Sequence, residues 1–263
     1  MSNGDDFLKA NFHTHTYRCL HAFGTEENYV QAAVKAGLEQ LGFSDHAPFP
    51  DRDFGLRMQF AELEEYLSVI DSLKDKYSIQ LFKGLEIEYH PVYRDYYREL
   101  LDKYKLDYLI LGEHMYTMPD GEIKNIYFAE STEDYLYYAD AIAQAAQTDC
   151  FSVIAHPDLM LKNHFAWDEN CRKASRQIID SAKKHNMVLE FNANGFRKGL
   201  QPFPDGQRYP YPDKRFWDMV KDTDIRVIVG SDCHSPEQVW DSDMEYACRT
   251  ARQYGLNVIE TIF

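Results

Sequence analysis

Short, unbroken apolar runs recur along this chain, and each is followed by a longer stretch whose apolar residues return every three or four positions. The runs predict strands: one opening at 11, then 38–46, 78–89, 106–114, 150–156, 187–194 and 226–230. The run Tyr108-Leu109-Ile110-Leu111, closed by Gly112-Glu113-His114, is representative. The periodic stretches predict helices over 25–37, 59–77, 92–104, 132–147, 168–185, 212–220 and 242–254. The first of these has Thr25 to cap it, Glu26 and Glu27 in its opening turn and Gly37 to stop it. Between the elements, 47–57, 115–130 and 195–212 read as long loops, the second holding Pro119-Asp120-Gly121 as a turn.

Strands that are apolar along their whole length are buried on both faces, as in a parallel sheet wrapped by helices. An open, doubly wound sheet has the same alternation, but no GxGxxG follows the first strand here. The expectation is one α/β domain spanning 1–263, and the polar residues at the strand ends favour closing it into a barrel. Only closure gathers every C-terminal strand end around one mouth.

Those ends carry the candidate chemistry. His13 and His15 are two apart on the first strand, so they point the same way and can grip one ion together. His21 follows within a loop's reach, and later strand ends bring His46, Glu86, His114, His156, and Asp232 with His234. His90, His164 and His185 fall in loops or a helix and are expected to be surface or packing residues. Such a donor set exceeds what a single tetrahedral or octahedral ion takes and suits two or three. Imidazole and carboxylate ligation without thiolate fits Zn, Mn or Fe, and a carboxylate such as Glu86 is suited to bridging two ions.

Composition narrows the partners. The formal net charge of −15 disfavours broad nucleic-acid or anionic-membrane binding, and no apolar run is long enough to span a bilayer. The first six residues are polar and acidic, unlike a secretory signal, and the five cysteines include no CxxC pair. A cytoplasmic protein acting on a small molecule is expected, with its oligomeric state left open.

The order HTH, a further histidine, SDH, GLEIEY, GEH, HP and GSDCH resembles the polymerase and histidinol phosphatase (PHP) superfamily across 11–234. That resemblance implies a distorted (β/α)7, TIM-like barrel with three divalent transition-metal ions. It implies His13, His15, Glu86 and Asp232 on the first ion, Glu86, His114 and His156 on the second, and His21, His46 and His234 on the third. The opening HTHTYRCLHA, the phrase Gly42-Phe43-Ser44-Asp45-His46-Ala47-Pro48 and the run Asp107 to Gly112 are similar to the monofunctional L-histidinol-phosphate phosphatases. Asn194-Gly195-Phe196-Arg197-Lys198-Gly199 resembles the loop whose arginine meets substrate phosphate there, which implies Arg197 as the phosphate clamp. Lys162 and Arg18 are further phosphate candidates. Glu113, standing where the pattern favours a neutral residue, is expected on an acidic rim that holds the substrate's amine.

The implied reaction is hydrolysis of L-histidinol phosphate to L-histidinol and phosphate, within histidine biosynthesis, by a metal-bridging hydroxide. Arg197 would stabilise the equatorial oxygens, and Asp232 or His234 would assist the leaving group. Two alternatives remain open from sequence: a phosphoesterase acting on nucleotides or oligonucleotide ends, and a non-catalytic binding module stabilised by structural metals.

Overall fold

A computed structural model of the chain describes residues 8–263. The acidic segment read above as unlike a signal lies outside them. In chain order the elements are β1 (Ala10–Asn11), α1 (Glu26–Ala36), β2 (Gln40–Phe43), α2 (Leu63–Lys76), β3 (Gln80–Ile87), α3 (Arg94–Asp102), β4 (Tyr108–Leu111), β5 (Met115–Thr117), β6 (Ile123–Asn125), α4 (Asp134–Ala146), β7 (Val153–Ile154), α5 (Glu169–Lys184), β8 (Val188–Asn192), α6 (Asn194–Arg197), β9 (Gln201–Phe203), β10 (Gly206–Arg208), α7 (Lys214–Val220), β11 (Arg226–Gly230), α8 (Ser242–Gln253) and β12 (Asn257–Val258).

Eight strands form one parallel sheet in the order β1-β2-β3-β4-β7-β8-β11-β12, curled as expected for a TIM-like α/β barrel. Beyond the regular strands, Thr14 bridges Cys233, and His15 N–H donates to Cys233 O at 3.0 Å, so the end of the first strand meets the end of β11. The seven expected strands are all present. The eighth, β12, is only two residues long and pairs with the start of β11. The segments read as plain loops carry more structure than expected. Antiparallel β5–β6 occupies one of them, turning at Asp120-Gly121 with Gly121 at φ +89°, and α6 with antiparallel β9–β10 occupies another.

Local signals placed the helices well. Thr25 caps α1 by accepting from Asn28 N–H, and Gly37 ends it in the left-handed region at φ +84°, where a side chain would be strained. Inside the barrel, Ala10, Phe12, Phe82, Tyr108, Ile110, Val153, Ala155, Val188 and Ile228 form a packed cluster, against which Ile259 and Ile262 lie. Tyr108 Oη donates to Phe12 O at 2.8 Å and Phe43 O at 3.0 Å, tying the first two strands from within. This apolar filling leaves the C-terminal strand ends as the place for polar side chains. Among the described residues no helix is long and apolar enough to cross a membrane.

Candidate metal centre

All nine sequence-predicted ligands meet at those strand ends. His13, His15 and Asp232 form one donor group, Glu86, His114 and His156 a second, and His21, His46 and His234 a third, the donor atoms of each lying within 4.8 Å of one another. Glu86 Oε2 also stands 3.4 Å from His13 Nε2, 3.3 Å from His15 Nε2 and 3.1 Å from His46 Nδ1. It therefore touches more than one group. A Cβ at Gly112 would overlap the Glu86 carboxylate, which explains the glycine of GEH.

The donor set fits transition-metal ions. Nδ1 of His13, His21, His114 and His234 each faces an oxygen, respectively Glu190 Oε1 at 2.7 Å, Cys19 O at 2.8 Å, Glu88 Oε1 at 3.0 Å and Asp232 O at 3.1 Å. Each oxygen accepts a hydrogen bond from Nδ1–H, which keeps the proton on Nδ1 and leaves Nε2 bare toward the site, the tautomer a metal requires. Bare Nε2 atoms then face one another, His13 against His15 at 3.0 Å and His21 against His234 at 2.9 Å. Two donors about 2.1 Å from one tetrahedral ion would stand about 3.4 Å apart, close to what is seen. His15 Nδ1, His156 Nδ1 and Glu86 Oε2 are buried without a hydrogen-bond partner.

Charge points the same way. Burial disfavours ionised carboxylates, yet His13 and its neighbours hold Glu86 and Asp232 well below the usual carboxylate range. Burial also lowers His15, but Asp232, Asp45 and Glu86 outweigh it and bring it to about 9. His234, desolvated and beside His15, is pushed down to about 3. Buried carboxylates among crowded imidazoles call for a cation, and an ion would take the place of ring protons.

A supporting shell holds the ligands. Glu88 receives both Arg57 Nη1 and Nη2, at 2.9 and 3.0 Å, while orienting His114. Glu190 orients His13 and accepts the His156 backbone N–H at 3.0 Å. Asp45 accepts from Thr16 N–H at 3.0 Å and faces His15 Nδ1 at 3.7 Å. Asn192 and Asn194 donate to Asp232 Oδ2 at 3.2 and 3.1 Å. These residues were not singled out as functional from sequence, although two signals were present. Glu88 shares the strand face of Glu86 two residues on, and Glu190 interrupts an otherwise apolar run.

Three of the substrate candidates are engaged by partners within the protein. Arg197 spends its guanidinium on Asp241, Ser231 and Gln238, and its neighbour Lys198 lines the central cavity instead. Arg18 is buried and paired with Glu26 at 2.5 Å, with Glu65 at 3.3 Å, so it has no face for phosphate. Glu113 lies under the site and off the rim, 1% exposed, accepting from Tyr89 N–H at 3.0 Å, with its carboxyl pushed well above its usual range by burial. Lys162 keeps its candidacy: Nζ sits 3.7 Å from the centroid of Tyr127, a cavity-lining ring, and burial with nearby Lys198 lowers it to about 8. The cavity, about 440 Å3, is lined by ligands together with Tyr127, Tyr211, Asn194, Lys198 and Gln238.

A parallel α/β barrel with a histidine and carboxylate centre at its C-terminal mouth defines a metal-binding barrel protein. The PHP domain model matches residues 11–194, and the chain belongs to that family. It is 32% identical over 236 residues to a Deinococcus radiodurans protein named "Probable histidinol-phosphatase", covering 86% of each chain. It is 26% identical over 264 residues to the Bacillus subtilis protein named "Histidinol-phosphatase", covering 88% of this chain and 95% of that one. Among solved structures, histidinol phosphate phosphatase of Lactococcus lactis, complexed with Zn, L-histidinol and phosphate, shares the fold with a TM-score of 0.71 at 18% identity, covering 95% of each chain. The hisK chain of Listeria monocytogenes gives 0.74 at 22% identity, covering 90% of this chain and 100% of that one.

Proposed function

We propose that this chain is a metal-dependent phosphomonoesterase that hydrolyses L-histidinol phosphate to L-histidinol and phosphate. The observation that carries the reading is the convergence of three donor groups, joined through Glu86, on one cavity that Lys198 lines, with Lys162 against its Tyr127 ring. The relatives bearing the histidinol-phosphatase name supply the substrate.

His13, His15, Glu86 and Asp232 would hold one ion, Glu86, His114 and His156 a second, and His21, His46 and His234 a third. Zinc, the metal of the Lactococcus lactis complex, suits these ligands, and Mn or Fe would be accepted by the same chemistry. When bound, the ions supply Lewis-acid chemistry, acidifying water and neutralising phosphoryl oxygens.

The protein's own residues then bind and orient. Lys198 and Lys162 bring positive charge to the phosphate in an otherwise acidic chain. Burial keeps the Tyr127 and Tyr211 phenols protonated far above neutrality, so each offers an O–H donor. Asn194 and Gln238 add amide groups to the cavity lining. A small soluble substrate is favoured over nucleic acid because the net charge of −15 opposes a polyanion.

The test is turnover on a panel of phosphomonoesters with metal-loaded protein. Histidinol phosphate should exceed p-nitrophenyl phosphate in kcat/KM by about two orders of magnitude or more, because a site built for polar groups leaves them unpaired with the wrong ester. Equal rates on nucleotides and histidinol phosphate would overturn the substrate assignment, and no turnover of any ester would overturn the enzyme.

A further inference from the structure

Asp232 carries a ligand carboxylate on a strained backbone, with φ +48°, a conformation that a non-glycine residue keeps only where its surroundings fix it. The surroundings that fix it converge on Arg197. Nη1 donates to Ser231 O at 2.5 Å, the carbonyl of the peptide entering Asp232. Nη2 reaches Ser231 Oγ at 3.0 Å and Gln238 O at 3.1 Å, and Ser231 Oγ in turn donates to Gln238 O at 2.5 Å. The Nε/Nη2 edge of the guanidinium is clamped by Asp241, with Nε donating to Oδ2 at 2.8 Å and Nη2 to Oδ1 at 3.2 Å. Asp241 is itself anchored as the N-cap of α8, accepting from Asp243 and Met244 N–H.

The second ligand of this segment depends on the same knot. Gln238 Oε1 accepts the His234 backbone N–H at 2.9 Å, so the residue whose carbonyl Arg197 holds also sets the backbone of His234. From the same short segment, Asn194 holds the Asp232 side chain at 3.1 Å. One segment thus steers the Asp232 carboxylate through Asn194 and its backbone through Arg197.

We infer that Arg197 is a positioning residue for the metal centre: it locks the 231–238 turn so that Asp232 and His234 present their donors to two different ion groups. It touches no substrate. The inference rests on the metal reading of the site and is independent of which ester is hydrolysed. An arginine is required because a planar fork reaches two carbonyls, a hydroxyl and a carboxylate at once, which a lysine ammonium does not.

The experiment measures metal content by elemental analysis and metal affinity by chelator competition in wild type, Arg197→Ala, Arg197→Lys and Asp241→Asn, with kcat, KM and the inhibition constant of inorganic phosphate at saturating metal. Positioning predicts about 10–100-fold weaker binding of at least one ion in Arg197→Ala, on the scale of lost supporting-shell contacts. It also predicts no rescue by Arg197→Lys, a smaller loss in Asp241→Asn, and KM and phosphate inhibition within about threefold of wild type once metal saturates. A phosphate clamp predicts the reverse: unchanged metal affinity, with KM and the phosphate inhibition constant raised together. That outcome overturns the inference. Asp241→Asn keeps the helix cap, so it carries the test if Arg197→Ala does not fold, and unchanged metal affinity in Asp241→Asn then overturns the inference. Wild type that binds no metal would instead remove the metal reading and the inference with it.

Discussion

The Nε2 atoms of His13 and His15 stand 3.0 Å apart in a wholly buried site, with Glu190 holding the far nitrogen of the first ring at 2.7 Å. Two ring nitrogens so placed repel unless a cation lies between them or a proton is shared. Ions that bind only the folded chain stabilise it, by about 2.7 kcal/mol per site at a hundredfold excess over Kd. Chelation should therefore lower Tm by at least about 5 °C in a domain of this size, and added zinc should restore it. A scanning calorimetry trace unchanged by chelator, on protein shown to have held metal, would contradict this.

Glu86 stands apart from the other ligands because its two oxygens face different groups, Oε1 toward His156 at 3.0 Å and Oε2 toward His13, His15 and His46. Glu86→Gln removes the charge both groups share. Elemental analysis should find more than one ion lost per chain, whereas His21→Ala, an exposed ligand of a single group, should lose no more than one. Equal losses in the two variants would mean that Glu86 does not bridge.

How much of this was legible in the sequence follows from the range of each interaction. Thr25 and Gly37 announced α1 because caps act over one turn, and the HTH and GEH motifs announced ligands because strand ends fix where adjacent side chains go. Glu190 was legible in principle, as a charge inside a buried run. Strand β12 was not, since Asn257-Val258 is too short to show any period. The role of Arg197 was hidden for another reason. Its partners lie 34 to 44 residues away, and only the packing of β11 and α8 around α6 brings them together. The local resemblance at Asn194 to Gly199 placed the right loop at the site, where Lys198 lines the cavity and Arg197 is bonded to Asp241, Ser231 and Gln238.

Glu113 gives a sharp contrast between sequence and structure. A rim carboxylate that holds an amine would lose substrate affinity on Glu113→Gln, but the observed side chain is sealed beneath the surface and bonded to Tyr89 N–H. KM should therefore be unchanged. Burial raises its folded pKa, so the folded state keeps the proton while the unfolded chain releases it above its own carboxylate pKa. That difference costs wild type nothing at low pH and more as pH rises through the carboxylate range. Glu113→Gln should match wild type near pH 4 and equal or exceed it in denaturant midpoint at pH 7, and a raised KM would restore the rim assignment.

Lys162 should set the alkaline limit of substrate capture. Burial and the neighbouring Lys198 bring its ammonium down to about 8, and it lies against the Tyr127 ring that stacks on His114. Below that pH it is charged and attracts a phosphate dianion; above it the charge is lost. The kcat/KM profile, which reports the free enzyme, should fall through about pH 8, while kcat at saturating substrate should fall later because bound phosphate holds the proton on. Losing one charge-assisted contact is worth about 1.5–3 kcal/mol, roughly ten- to a hundredfold in kcat/KM. Lys162→Arg should move the fall well above pH 8, since a guanidinium stays charged, and Lys162→Met should give a low profile without it. If Lys162→Met keeps the wild-type fall near pH 8, the titrating group is another one and Lys162 does not meet the phosphate.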